Sequence, residues 1–211
     1  MSAILQDISE KLQKGKMKEV AELVKQAVAD GIQPLTILNE GLMPGMDIIG
    51  ERFKKNDIFI PEVLIAARAM AAGTDVLRPL LVGDQMEEKG TVVIGTIKDD
   101  LHDIGKNLVR MMMESKGLNV IDLGNSVPPA KYIEAAAKHN ADIIACSALL
   151  TTTMNEMRAV VALRNGTPAL GGVKVMIGGA PVTQAFCDEI GADSYTPDAA
   201  TCAEVALGFC S

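Results

Sequence analysis

The apolar positions of the first 80 residues recur at helical spacing. Ile4, Leu5, Ile8 and Leu12 fall on one face of a first helix, and Val20, Leu23, Val24, Ala27 and Val28 on one face of a second. Gly15 and Gly31 stand where helices stop. Pro34 stands where the first turn of a third helix tolerates a missing N–H, ahead of Leu35, Ile37 and Leu38. Pro61 opens a last apolar run from Val63 through Val76 to Leu80. The pattern predicts a bundle of about four helices over residues 1–83, because helices joined by short loops pack antiparallel.

Beyond a polar stretch at residues 84–90, which reads as a linker, the period changes. Short apolar runs rich in β-branched residues predict strands at 91–97, 120–123, 142–146, 174–177 and, more weakly, 194–196. Helical patterns lie between and after them, at 104–116, 130–139, 154–165, 183–190 and 198–209. Strands alternating with helices form a parallel sheet covered on both faces. Residues 91–211 are therefore expected to be an α/β domain, doubly wound and Rossmann-like, with five parallel strands. If the strand order reverses beside the first strand, a ligand would bind outside the carboxyl ends of the strands.

Composition excludes several function classes. The 211 residues hold 20 Lys and Arg against 27 Asp and Glu, a net charge of −7, and aromatic residues make up 3% with no Trp. So acidic a chain lacks the clustered cations that neutralise a nucleic-acid backbone, and it has few rings on which bases could stack. No nucleic-acid partner is expected. No window approaches the roughly 20 apolar residues of a membrane helix, and the first residues lack the basic and apolar segments of a secretory leader. A cytoplasmic protein with no membrane partner is the expectation. Cys146, Cys187, Cys202 and Cys210 include no C-x-x-C pair, which points to buried reduced thiols rather than a zinc site, an iron–sulfur cluster or a disulfide framework.

Three loops that follow predicted strands carry the candidate chemistry. The first holds Asp99, Asp100, His102, Asp103, Ile104 and Gly105. A histidine among carboxylates in a strand-to-helix loop suits a metal ligand or a proton relay, and Gly105 lets something large approach the start of the next helix; a solvated loop with a helix cap would look similar. The second, from Ser147 to Thr153, carries four hydroxyls in seven residues, where capping a helix needs one. The third is Gly178 and Gly179 at a strand end, which permits a flat ligand or a phosphate to lie against the main chain but equally suits a tight turn. His139, near a helix end, and the run Met111, Met112 and Met113 read as structural.

Together the loops resemble the signature of cobalamin-binding domains: D-x-H-x-x-G as Asp100, His102 and Gly105, S-x-L as Ser147 and Leu149, and G-G as Gly178 and Gly179. The match extends through Asp103, Ile104, Lys106 and Asn107, and through Asp122, Leu123 and Gly124. In the helical half, Phe53 and the stretch from Ile60 through Pro61, Glu62 and Val63 to Met70 resemble the cap of methyl-carrying cobalamin modules. The whole chain is similar to the corrinoid proteins of anaerobic three-component methyltransferases, and also to the cobalamin module of methionine synthase.

The resemblance implies that cobalamin or a related corrinoid binds with its dimethylbenzimidazole tail displaced into the protein, and that His102 becomes the lower axial ligand of cobalt. Asp100 would hold the other ring nitrogen. Thr153 stands where the family has a serine as third relay member; it keeps the hydroxyl but adds a methyl and restricts the rotamer. Asp103, Ile104 and Gly105 would border the tail at the first loop, Ser147, Leu149 and Thr151 would line its channel, and Gly178 and Gly179 would pass it along the main chain. Phe53, Ile60 and Val63 would cover the upper face of the corrin, with the linker at 83–90 as hinge.

The implied function is that of a carrier rather than a self-sufficient enzyme. Cob(I)alamin would accept a methyl group from a substrate-specific methyltransferase, and methylcob(III)alamin would deliver it to a second methyltransferase acting on tetrahydrofolate or coenzyme M, with a reductive activator protein as a further partner. The donor, whether methanol, a methylamine, an aryl methyl ether or a betaine, belongs to the partner. A cobalamin-dependent mutase subunit would share the first loop but not the bundle with Phe53, and a cobalamin-based sensor would need a basic DNA-binding segment that residues 1–83 lack. A phosphoacceptor receiver would need an aspartate where the third predicted strand ends in Cys146 and Ser147, and a lysine near Ser194, Tyr195 and Thr196.

Overall fold

The apolar stripes of the helical half close on one another: Leu5, Ile8, Leu12, Val20, Val24, Ala27, Ile37, Leu42 and Met46 are almost fully buried. The structure, a computed structural model, describes residues 2–80 and 89–210. Two compact units fall within Met1–Glu87 and Glu88–Ser211. Residues 83–88 of the expected hinge lie outside the described residues.

In the first unit α1 (Ala3–Gln13) and α2 (Met17–Ala29) pack together, α1 also meets α4 (Met43–Lys54), and α2 runs along α5 (Ile60–Leu77). The helix expected from Pro34 is not uniform. A short α3 (Pro34–Thr36) widens into a π-helical turn over Ile37–Leu42 before α4 begins. Pro44 explains the widening: it has no N–H for the Glu40 carbonyl, and the Met43 N–H reaches back five residues to Leu38 O. Between α4 and α5, Asn56 takes a left-handed φ of 58° and the Asp57 N–H bonds Arg52 O at 2.9 Å, which ends α4. The Phe59 N–H then bonds the Glu62 carboxylate at 3.2 Å as α5 starts. Phe53 and Ile60 therefore lie on separate helices.

In the second unit, β1 (Thr91–Thr96), β2 (Asn119–Asp122), β3 (Ile143–Ser147), β4 (Lys174–Gly178) and β5 (Ser194–Tyr195) alternate with α6 (Ile104–Ser115), α7 (Pro129–His139), α8 (Asn155–Asn165), α9 (Gln184–Ile190) and α10 (Ala199–Phe209). The strands pair in parallel in the order β2-β1-β3-β4-β5. β2 and β3 are each displaced by one residue from the sequence expectation, and Ile97 leaves β1 to bridge Val127. One core forms where Val93, Ile144, Val175 and Ile177 of the sheet meet Tyr132 and Ala136 of α7 and Met157 and Val160 of α8. Met112 and Met113 are buried on α6, which packs against α10.

No helix among the described residues is long and apolar enough to cross a membrane. The four cysteines are free thiols, and Cys146, Cys187 and Cys202 are buried. Burial pushes the Cys202 thiol up to about 11 despite a hydrogen bond with Thr196 that lowers it, so the thiol is inert at neutral pH.

Candidate functional site

The strand order reverses between β1 and β3. A doubly wound sheet has its ligand crevice at such a point, because the crossovers on either side leave in opposite directions. The loops after β1 and β3 meet there, and Asp100 is the joint.

After Ile97 the chain turns through Asp99, with φ of 64°, and the Asp100 N–H bonds Ile97 O at 3.2 Å. The Asp100 side chain is fully buried. Its Oδ1 accepts the His102 main-chain N–H at 3.0 Å and lies 2.8 Å from His102 Nδ1. Its Oδ2 accepts the N–H groups of Leu149 at 2.7 Å and Leu150 at 3.1 Å, from the loop after β3. Burial pushes the carboxyl group up, but these hydrogen bonds outweigh it and hold its pKa at about 2. Asp100 is therefore an anion at any ordinary pH. An anionic acceptor at Nδ1 places the imidazole proton there and leaves the Nε2 lone pair for a metal. The His102 ring is 52% exposed, and no group among the described residues bonds Nε2.

Thr153 is buried near this pair, yet its hydroxyl lies 2.9 Å from Leu150 O and 3.5 Å from Asp100 Oδ2. One proton cannot serve both, and the shorter contact takes it. A relay running His102, Asp100, Thr153 is thus tight at its first link and loose at its second.

Ser147, the last residue of β3, pairs in register with Gly178 of β4, and the Ala148 N–H bonds Gly178 O at 3.1 Å. Gly179 has φ of 127°, and a Cβ there would stand 1.8 Å from Ala148 O. The double glycine thus presses β4 against the segment that presents the Leu149 and Leu150 amides. Leu149 and Thr151 are exposed beyond it. Asp103 precedes the first turn of α6, and Ile104 and Gly105 are exposed within that turn. In the bundle Phe53 is partly buried, Ile60 is exposed and Val63 has no exposed surface. Of the three residues expected to cover a corrin, Phe53 and Ile60 have surface to offer, whereas Val63 fills the core.

Lys106 and Asp122 brace this loop. Lys106 is only 2% exposed, and its ammonium lies 2.6 Å from Asp122 Oδ1 and 2.9 Å from Asn107 Oδ1. Asp122 also accepts the Gly124 N–H at 2.9 Å, so the end of β2 holds the start of α6. In the sequence the pair is an aspartate closing one strand and a lysine at the start of the helix before it.

The residues around His102 fit a large flat group. Leu101 is 70% and Ile104 67% exposed, and Leu149 and Leu150 add further apolar surface beside them. A Cβ on Gly105 would meet no heavy atom within 4 Å and its φ is ordinary, so nothing in the protein requires glycine in that helical turn. Among the described residues no three His, Cys, Asp or Glu side chains converge. A bare ion has no ligand set there, whereas a metal already held in a macrocycle needs a single axial donor.

Family models for B12 binding domains match residues 90–206 and 4–78. The chain belongs to the B12-binding family. This B12-binding protein is 40% identical over 197 residues to dimethylamine corrinoid protein 2 of Methanosarcina acetivorans, covering 93% of this chain and 91% of that one. Its structure is similar to the methanol:cobalamin methyltransferase complex of Methanosarcina barkeri, with a TM-score of 0.86 at 30% identity over 98% of this chain and 79% of that chain. It is also similar to a cobalamin-binding protein from Desulfitobacterium hafniense, with a TM-score of 0.81 at 29% identity over 97% and 98% of the two chains. The fold expected from periodicity, an α/β domain preceded by a helical region, is the fold of this family.

Proposed function

We propose that this B12-binding protein carries a methyl group between two methyltransferases, one that takes it from a substrate and one that passes it to tetrahydrofolate or coenzyme M, with a reductive activator as a third partner. The observation that carries the reading is the Asp100–His102 pair, with Nε2 unbonded among the described residues amid exposed apolar loops at the reversal of strand order. The 40% identity to a dimethylamine corrinoid protein supports a methylated amine as the methyl source. The methyltransferase complex among the similar structures supports a carrier that works against a partner's active site.

When bound, the corrinoid supplies a cobalt centre that takes up and gives up the methyl group. The protein's residues supply the rest. His102 Nε2 would hold the cobalt, and Asp100 would fix the ring tautomer and raise its donor strength. Leu101, Ile104, Leu149 and Leu150 offer apolar surface that excludes water, and Gly105 leaves room beside the first loop. Ser147, Thr151, Gly178 and Gly179 border the path of a displaced nucleotide tail.

Gly105→Leu tests this reading. With nothing within 4 Å of the new side chain's first atom, the apoprotein is expected to unfold at or above the wild-type temperature, since a helix former in place of glycine contributes up to about 1 kcal/mol. The same side chain would invade the space assigned to the corrinoid. Overlap of that kind costs about 1–3 kcal/mol, so the Kd for hydroxocobalamin in a spectroscopic titration is expected to rise roughly ten- to a hundredfold. Equal Kd values would mean that this space is not the corrinoid's.

A further inference from the structure

Thr96 ends β1 and is fully buried. Its main chain belongs to the neighbouring loop: its N–H bonds Gly124 O at 3.0 Å, and its carbonyl accepts the Val127 N–H at 2.9 Å. Its hydroxyl has a different partner. Oγ1 donates to the main-chain carbonyl of His102 at 2.9 Å.

That bond acts where the others do not. Asp100 is fixed twice over, because Leu149 and Leu150 hold its carboxylate and the Ser126 N–H bonds its carbonyl at 2.9 Å. Asp99 is tied across as well, its N–H bonding Ser126 Oγ at 3.1 Å. Through Asp100 Oδ1 these bonds reach His102 only at its own N–H and at ring Nδ1. The carbonyl side of His102 leads into Asp103, whose side chain makes no capping bond to α6. Among the described residues, the Thr96 hydroxyl is the group that bonds that carbonyl. Pinned at both ends, the His102 backbone cannot turn, and the ring keeps one direction. Pinned at the amide alone, it could swing about Nδ1 while its bond to Asp100 survives.

We propose that Thr96 is a positioning residue for the axial ligand: its hydroxyl fixes the direction of the His102 imidazole and so the strength with which Nε2 binds a metal. The proposal rests on the reading of His102 as axial donor. Thr96→Val keeps the shape and removes the hydroxyl, and Thr96→Ser keeps the hydroxyl and removes the methyl. Each variant and the wild type would be loaded with cobalamin, reduced to the cob(II) form and compared by electron paramagnetic resonance, with corrinoid stoichiometry and apoprotein melting measured alongside.

Thr96→Val is expected to bind one equivalent of corrinoid but to lower the ratio of nitrogen-ligated to unligated cobalt roughly fivefold, the size of one hydrogen bond's net contribution. Thr96→Ser is expected to restore the wild-type ratio. If Thr96→Val proves too unstable to purify, Thr96→Ala carries the same test. A hydroxyl-free variant with the wild-type ratio, or a Thr96→Ser protein as impaired as Thr96→Val, would overturn the role of Thr96. A wild type without any nitrogen signal would instead overturn histidine ligation itself.

Discussion

His102→Ala is expected to retain corrinoid but to raise the cob(II)/cob(I) potential and to slow methyl uptake. Retention follows from area, since the macrocycle and tail offer far more contact than one axial bond. The sign of the potential follows from coordination. An imidazole donor would favour the oxidised metal over the reduced one, so removing His102 would make reduction easier. Each tenfold of ligation lost moves a one-electron couple by about 59 mV. A hydrogen-bonding partner of a metal ligand is typically worth about 10–100-fold, and the ligand itself at least as much, so a shift of about 60 mV or more towards less negative values is expected. Methylation by a partner methyltransferase should fall by a similar factor, because His102 would no longer favour the more oxidised metal that methyl uptake produces. Asp100→Asn should move both quantities in the same direction and less far, since an amide still contacts the ring but carries no charge. Spectroelectrochemical titration would decide it, and an unchanged potential would mean that the imidazole does not reach cobalt.

The second large effect concerns the scaffold. Gly179→Ala should destabilise the α/β unit by about 3 kcal/mol or more, because the residue must hold a φ that disfavours side chains while its Cβ meets main chain. The Cβ would stand 1.8 Å from Ala148 O and 2.8 Å from Ala148 C, at φ of 127°. No rotamer relieves that contact. Relief requires β4 and the segment after β3 to part, which draws the Leu149 and Leu150 amides away from Asp100. For a unit of this size the unfolding temperature should drop by about 12 °C or more. Gly178→Ala is the control, since its nearest obstacle, Thr196 O, is 3.9 Å away. Calorimetry giving equal melting temperatures for both variants would show that the close approach at Gly179 is not a constraint.

Periodicity located the helices and strands because burial on one face repeats with the element's own geometry, and Pro34, Pro61, Gly15 and Gly31 punctuate the bundle without help from tertiary structure. The π-turn at Ile37–Leu42 was not visible, since it depends on how the chain absorbs Pro44 while Gly41 packs under Ile8. The loop residues at the candidate site could be named, but their meeting could not. Asp100 and Leu149 stand 49 residues apart and touch only because the strand order sets β1 beside β3. Lys106 and Asp122 both fall within the resemblance, but the fold alone brings them together across 16 residues, and Thr96 reads as an ordinary strand residue until its hydroxyl finds His102. The partner chosen by Thr153 turns on a few tenths of an ångström between Leu150 O and Asp100 Oδ2, a distinction no residue pattern carries.

Whether His102 binds cobalt can be read by isotope labelling. The protein holds two histidines, His102 and His139, the latter closing α7. Loaded with unlabelled cobalamin and reduced to the cob(II) form, protein grown on ordinary histidine should show cobalt hyperfine lines each split into a triplet by one axial nitrogen. Protein grown on histidine labelled with nitrogen-15 in the ring should show doublets instead, and His139→Gln should leave that change intact. A triplet that persists in the labelled protein would assign the nitrogen to the cofactor's own benzimidazole, and His102 would not be the ligand.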